Sequence, residues 1–121
     1  MAGDDLAGVG VLVTRPAHQA EPLCRALAAR GATPVRFPVL AIGAPPDPEC
    51  RDRLIGGLAK TDWAIFVSPN AVHAFMERMG SLGQPWPAEL RCACVGRGTA
   101  DALATYGIAA DCVPERGSDS E

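Results

Sequence analysis

Two short polar segments follow apolar runs in an arrangement that suits the binding of an anion. Residues 68–70 (Ser-Pro-Asn) follow the apolar run 63–67, and residues 96–99 (Gly-Arg-Gly-Thr) follow the next such run. The Ser68 hydroxyl can cap a following helix, and Pro69 suits its first position, where a missing N–H has no cost. The N–H groups in the first turn of such a helix attract a carboxylate or a phosphate.

A third segment of this kind, residues 14–16 (Thr-Arg-Pro), closes the first apolar run of the chain. Each segment alone is usually no more than a helix cap or a turn. Together they are more informative, because ligands of open α/β sheets bind at the carboxyl ends of the strands. Arg15 and Arg97 would add charge-assisted hydrogen bonds to a carboxylate, and a solvated surface arginine is the alternative for each.

Strands and helices alternate along the chain and would position these segments. The strands are predicted at 9–14, 34–37, 63–67, 91–95 and 111–114, and the helices at about 19–30, 49–58, 68–79 and 97–106. This order predicts an α/β protein with a parallel sheet. The apolar run 63–67 is typical of a strand covered on both faces. Leu54, Ile55 and Leu58 form the predicted apolar stripe of the second helix.

Composition excludes several classes of function. The chain has 121 residues and a net charge of −3, with a pI near 5.3, which argues against binding to nucleic acid or to an anionic membrane. No apolar run approaches the roughly 20 residues of a membrane span. Residues 1–6 hold two aspartates and no basic residue, so we expect no signal peptide.

The five cysteines form no C-x-x-C pair, and the two histidines lie far apart in sequence, which disfavours a zinc site. Cys92 and Cys94 should share one face of a strand as buried, reduced thiols, as in a cytoplasmic protein. Gly96-x-Gly98 after a predicted strand is typical of a dinucleotide-binding motif, but Asp101 stands where that motif has its third glycine. A nucleotide- or anion-binding module without enzymatic activity stays the alternative function.

The ordered set of motifs resembles the uroporphyrinogen-III synthase family. The similarity rests on V-L-V-T-R-P at 11–16, a helix with Q-A-E-P-L, and F-P at 37–38 before a proline-rich segment. It continues with D-W-A-I-F-V-S-P-N-A-V at 62–72 and V-G-R-G-T-A at 95–100. Each motif is weak alone, but their order and spacing hold over nearly the whole chain.

The resemblance implies two Rossmann-like or flavodoxin-like lobes, of which this chain carries only part. Residues 1–38 would be the N-terminal β-α-β piece of a discontinuous first domain, 39–47 an extended linker, and 48–121 the first part of a second α/β domain. The family continues for a comparable length beyond Glu121, so this chain is expected to carry only part of the enzyme, and an inactive fragment is one of the alternatives. Its polar end, 115–121, is expected to be frayed.

By resemblance, the function is cyclisation of hydroxymethylbilane to uroporphyrinogen III, with inversion of the last pyrrole ring and loss of water. No metal or organic cofactor is implied, and the location would be cytoplasmic. The full-length family is monomeric. This piece is expected to self-associate, because it would expose the edge of the strand at 9–13 and an apolar helix face.

Six positions match the family's substrate-binding motifs: Arg15, Ser68, Pro69, Asn70, Gly96 and Thr99. For Thr99 a helix-capping hydroxyl is the alternative role. The family's usual candidate for a general acid is a tyrosine in its later half. Tyr106 does not match that tyrosine, so the resemblance assigns no catalytic residue here.

Overall fold

The computed structural model describes residue 3 and residues 5–115, so the chain end at 116–121, expected to be frayed, lies outside the described residues. The chain forms two compact units, Met1–Pro45 and Pro46–Glu121. The boundary falls in a segment, 37–47, that holds no helix or strand. The assignment of these parts to the family's domains stays a prediction.

The first unit is a β-α-β element. Strand β1 (Gly10–Val13) pairs in parallel with β2 (Thr33–Arg36), and helix α1 (Ala17–Ala29) connects them. Gly31, with φ +87°, follows the helix in the left-handed region that glycine tolerates. The small core of this unit consists of Val13, Ala20 and Cys24.

Helix α1 begins earlier than the sequence predicts, at Ala17 and not near residue 19. Pro22 therefore lies in the second turn, where its ring removes one backbone donor from the helical ladder. With the helix start near residue 19 that the sequence predicts, Pro22 would have been in the first turn, and the earlier start moves it one turn further in. The helix continues through it, with Ala20 and Cys24 buried and Leu23 and Leu27 packed beside them.

The second unit begins with helix α2 (Pro48–Gly56) and a 3-10 turn (Leu58–Lys60). Strand β3 (Trp63–Phe66), helix α3 (Pro69–Ser81), strand β4 (Arg91–Cys94) and helix α4 (Arg97–Ala104) follow. β3 and β4 pair in parallel, which confirms the predicted α/β class. No helix of the described part is long and apolar enough to cross a membrane.

Two apolar clusters hold this unit together. Helices α3 and α4 cover one face of the β3–β4 sheet, where the buried residues are Phe66, Val72, Cys92, Cys94, Ala102 and Leu103. A second cluster joins α2 and the 3-10 turn to α3 through Ile55, Leu58, Met79 and Leu90. The shared face of Cys92 and Cys94 is as the sequence predicts, because alternate residues of a strand point the same way.

An ion-pair network also joins α2 to α3. Arg78 donates two hydrogen bonds to the Asp52 carboxylate, at 2.9 and 2.6 Å, and Arg51 donates a third at 2.9 Å. These guanidinium groups, Arg78 first, hold the pKa of Asp52 well below its usual range. Asp47 caps the start of α2 by accepting the N–H of Cys50 at 2.9 Å.

Three expectations about packing are wrong. Within the described residues β3 is covered on one face, since Trp63, Ile65 and Val67 are exposed on the face opposite to α3 and α4. Leu54 projects into solvent while its predicted companions Ile55 and Leu58 are buried. The predicted strand at 111–114 reduces to a single parallel bridge between Ala93 and Cys112. In each case the sequence pattern shows which residues are apolar. Which of them become buried depends on the helices and strands that pack against them.

Candidate functional site

The starts of α3 and α4 lie side by side at one edge of the second unit's sheet. Phe66 and Cys94 are register partners at the carboxyl ends of β3 and β4, and neighbouring strands lie about 4.8 Å apart. Each strand then turns directly into its helix, at Ser68 and at Gly96. Two helix N-termini therefore open on the same edge, as the sequence predicts from the two polar segments.

The side chain of Ser68 caps the N-terminus of α3. The Ser68 Oγ accepts the backbone N–H of Ala71 at 3.1 Å, and the Ser68 backbone is extended, with φ −161°. Pro69 occupies the first turn of the helix and is exposed, and Asn70 follows it, half-buried. The capping role predicted for Ser68 is present, and the serine hydroxyl already has one partner inside the protein.

The N-terminus of α4 differs, because within the described residues no side chain caps it. Gly96 is the N-cap residue, and its carbonyl accepts the N–H of Ala100 at 3.2 Å. The first-turn N–H groups ahead of Ala100 belong to Arg97, Gly98 and Thr99, and groups of this kind need an outside acceptor. Arg97 is exposed there. This turn therefore combines free backbone donors with a guanidinium group, which suits a carboxylate or a phosphate.

Thr99 is only 4% exposed. With its side chain buried, contact with a ligand would fall mainly to its backbone N–H. The helix-capping role that the sequence left open for the Thr99 hydroxyl is not present, because the N-cap residue of α4 is Gly96 and no described side chain caps this helix. The assignment of Thr99 to substrate binding stays a prediction.

Arg15 belongs to the first unit. It lies after the end of β1 and before α1, and it is exposed. Ser68, Pro69, Asn70, Gly96 and Thr99 all belong to the second unit. The structure thus brings five of the six predicted residues to one sheet edge of the second unit, whereas Arg15 is part of the first unit.

Two cavities of the described part lie elsewhere. One, of about 490 Å³, is in the first unit between the start of α1 and the segment 38–42. The other, of about 460 Å³, is in the second unit between α2, β3 and α3. The predicted binding residues do not line either of these two cavities.

The chemistry available at this edge is binding rather than nucleophilic attack. Burial raises the pKa of the Cys92 and Cys94 thiols, so both stay protonated near neutral pH. In the described part of the chain, no group of three or more His, Cys, Asp or Glu side chains could hold a metal ion. The donors at this edge include the backbone N–H groups, the Ser68 hydroxyl and the Arg97 guanidinium.

Two side-chain contacts that sequence reasoning missed stabilise the surroundings of the site. His73 Nδ1 and the Tyr106 hydroxyl are hydrogen-bonded at 2.9 Å, which joins α3 to the end of α4. The Asp111 carboxylate accepts the N–H of Cys92 at 2.9 Å and occupies the outer edge of β4. No spacing rule signals either pair, because the partners lie 33 and 19 residues apart.

A parallel sheet in which each strand leads at its carboxyl end into a helix places the second unit in the α/β class of proteins. Residues 21–121 match the family model described as Uroporphyrinogen-III synthase HemD. The chain belongs to the uroporphyrinogen-III synthase family, as the motifs predict.

Curated relatives and solved structures agree with this membership. The chain is 38% identical over 116 residues to uroporphyrinogen-III synthase of Synechococcus elongatus. The aligned region covers 94% of this chain and 44% of that protein. The uroporphyrinogen-III synthase of Chlorobaculum parvum is 34% identical to the chain, and the aligned region covers 42% of that protein. A mutant uroporphyrinogen III synthase from the extremely thermophilic bacterium Thermus thermophilus superposes with a TM-score of 0.64 at 28% identity, over 88% of this chain and 43% of that one. The chain thus spans less than half the length of these relatives.

Proposed function

We propose that this chain supplies part of the substrate-binding surface of a uroporphyrinogen-III synthase. The reaction would be cyclisation of hydroxymethylbilane to uroporphyrinogen III, with inversion of the last pyrrole ring and loss of water. Membership in the family supports this reaction, and relatives that are named uroporphyrinogen-III synthase cover most of the chain.

The observation that carries the proposal is the pair of helix starts at one sheet edge. The substrate bears many carboxylates, and backbone N–H groups at helix N-termini bind carboxylates without a basic protein surface. This explains how a chain with net charge −3 can hold a polyanion. In the proposal the start of α4, with Arg97 and uncapped N–H groups, makes the principal contact, and Ser68 to Asn70 form the neighbouring wall.

Binding at this edge would act mainly by restricting conformation. Loss of the substrate hydroxyl produces a reactive azafulvene, and ring closure then depends on which position of the terminal pyrrole is presented to it. Carboxylates fixed at two adjacent helix starts would limit the ways in which the flexible tetrapyrrole can fold. The proposal assigns no general acid to this chain, and it needs no cofactor.

A cytoplasmic location belongs to the same proposal. The five cysteines are unpaired in the described structure, and Cys24, Cys92 and Cys94 are buried. Free, buried thiols are usual where the environment is reducing.

Turnover of hydroxymethylbilane tests the function. The chain would be assayed alone and together with the part of the Synechococcus elongatus relative that it does not match, and the uroporphyrin isomers would be separated after oxidation. We expect isomer III above the uncatalysed background in the mixture, and less of it when Ser68 is replaced by Asp. Formation of isomer I alone in both samples would refute the proposed function.

A nucleotide- or anion-binding module without this activity is the second candidate, because the uncapped N–H groups at α4 can donate to a phosphate as readily as to a carboxylate. Calorimetry with NAD, FMN, inorganic phosphate and a polycarboxylate porphyrin separates the two. Binding of NAD or FMN in preference to the porphyrin would favour the module.

A further inference from the structure

The first unit has an ion pair at the carboxyl end of its second strand. Arg36 is the last residue of β2, and its Nη2 donates a hydrogen bond to Glu21 Oε2 of α1 at 2.6 Å. Glu21 accepts a second, longer hydrogen bond from Arg25 at 3.4 Å. These guanidinium groups, Arg36 first, hold the pKa of Glu21 below its usual value, so the carboxylate is charged at neutral pH. Two arginines therefore share one carboxylate.

The ion pair borders the cavity of about 490 Å³ in the same unit. That cavity is lined by residues 16–18 at the start of α1 and by residues 38–42 after β2. Glu21 lies one helical turn beyond the first of these segments, and Arg36 lies two residues before the second. The cavity and the ion pair therefore belong to one continuous stretch of chain, residues 16–42, within a single unit.

The cavity wall and the ion pair suit different parts of one kind of ligand. Residues 38–42 (Pro-Val-Leu-Ala-Ile) are apolar, and Val39, Leu40 and Ile42 are exposed. Small-molecule pockets have volumes of ~300–1,000 Å³, so this cavity has room for one aromatic ring with short side arms. A guanidinium at its border can bind a carboxylate on such an arm. A pyrrole ring that carries carboxylate arms, as in the substrate of the proposed function, has both parts.

We propose that a carboxylate of this substrate displaces Glu21 from Arg36 when one of its pyrrole rings enters the cavity. The step is an exchange of hydrogen-bond partners: Arg36 leaves the Glu21 carboxylate and binds that of the ligand, while Glu21 keeps Arg25. The Arg36 and Glu21 side chains are 48% and 49% exposed, and exposed ion pairs contribute little to stability, so the exchange has a low cost. A ligand without a carboxylate could not displace Glu21, which makes this pair a determinant of specificity. The identity of the ligand rests on the proposed function.

A double-mutant cycle on the full chain tests this exchange, with the affinity for uroporphyrin I measured by titration at constant ionic strength. Arg36→Gln should weaken binding roughly five- to tenfold, since a charge-assisted hydrogen bond is lost in an exposed setting. Glu21→Gln should strengthen binding roughly two- to fivefold, because an exposed ion pair no longer has to be broken. In the Arg36→Gln background, Glu21→Gln should have little effect, because no guanidinium is left to release.

Arg25→Gln is the matched control. Arg25 also donates to Glu21, but it lies on the next turn of α1, further from the start of the helix and from the cavity. The variant removes the same charge as Arg36→Gln, and we expect its affinity to stay within about twofold of wild type, since exposed charges contribute little at a distance. Circular dichroism and urea midpoints check the fold of each variant.

Equal strengthening by Glu21→Gln in both backgrounds would mean that the glutamate acts only through its charge, and it would overturn the proposal. An Arg36→Gln chain that binds as tightly as wild type overturns it too. So does a loss of affinity in Arg25→Gln as large as in Arg36→Gln, or a wild-type chain that does not bind uroporphyrin I. Failure of the proposed function is a separate result: isomer I alone would form in the turnover assay, while coupling between Glu21 and Arg36 in the cycle would still support the exchange with a carboxylate ligand.

Discussion

Substitution of Ser68 separates the capping of α3 from anion binding at its N-terminus. Ser68→Ala removes the acceptor that bonds the Ala71 N–H at 3.1 Å, and loss of such a cap costs ~1 kcal/mol. Ser68→Asp keeps an acceptor, and aspartate caps as well as serine, so we expect the free energy of unfolding to stay within ~0.5 kcal/mol of wild type. The aspartate also places a negative charge beside the proposed carboxylate site.

The effect of that charge on binding can be calculated. Two unit charges ~6 Å apart at an effective dielectric constant of ~40 repel by ~1.4 kcal/mol, which corresponds to a tenfold weaker affinity. We therefore expect Ser68→Asp to bind a polycarboxylate porphyrin about tenfold more weakly while remaining as stable as wild type. Ser68→Ala should show the reverse order, with the larger loss in stability and the smaller loss in affinity.

Urea unfolding followed by tryptophan fluorescence measures stability, because both tryptophans, Trp63 and Trp86, lie in the second unit. Titration with uroporphyrin I at constant ionic strength measures binding. Asp47→Ala is the control: it removes the cap of α2, where the Asp47 carboxylate accepts the Cys50 N–H at 2.9 Å, away from the sheet edge. It should lower stability by ~1 kcal/mol and leave affinity unchanged.

Two results would contradict this reasoning. If Ser68→Asp binds the porphyrin as tightly as wild type, the start of α3 does not contact a carboxylate. If Asp47→Ala weakens binding as much as Ser68→Asp does, affinity follows the stability of the unit rather than the charge at its edge.

Three further predictions concern stability. Leu103→Ala should lower the free energy of unfolding by ~2–5 kcal/mol, since Leu103 is fully buried, whereas Leu82→Ala on the surface should change it by less than ~1 kcal/mol in urea titrations. Gly107→Ala should cost ~1 kcal/mol in the same titrations, because the Gly107 φ of +77° is unfavourable for a side chain, and an unchanged midpoint would show that the turn relaxes. The lowered pKa of Asp52 means that its ion pair with Arg78 stabilises the fold above the unfolded value near 3.8, and this contribution is lost as the pH falls toward the folded pKa. Urea midpoints measured from pH 6 downward should therefore drop less steeply in Asp52→Asn, and identical slopes would remove the ion pair from the explanation.

Local chemistry made much of the second unit predictable. Ser68 followed by Pro69 marks the start of α3 because a side-chain cap and a first-turn proline both act within a few residues. Cys92 and Cys94 share a buried face because alternation is a property of any strand. Gly107 lies in the turn after α4 and has a positive φ, a backbone conformation that a glycine adopts without strain.

Contacts between distant residues were not predictable in this way. The hydrogen bond between His73 and Tyr106 depends on how α3 packs against α4, and nothing in either helix alone specifies it. The burial of Thr99 likewise follows from the packing of α4 on the sheet, although its sequence position suggested a contact with substrate.

The sequence by itself determined the alternation of strands and helices, the helix starts at Ser68 and Gly96, and membership in a family of tetrapyrrole enzymes. These follow from interactions within a few residues and from the order of motifs along the chain. Only the tertiary structure decided that, among the described residues, β3 is covered on one face and paired on one edge. An apolar strand has the same sequence whether one neighbour covers it or several, because burial is a property of the surrounding elements and not of the strand.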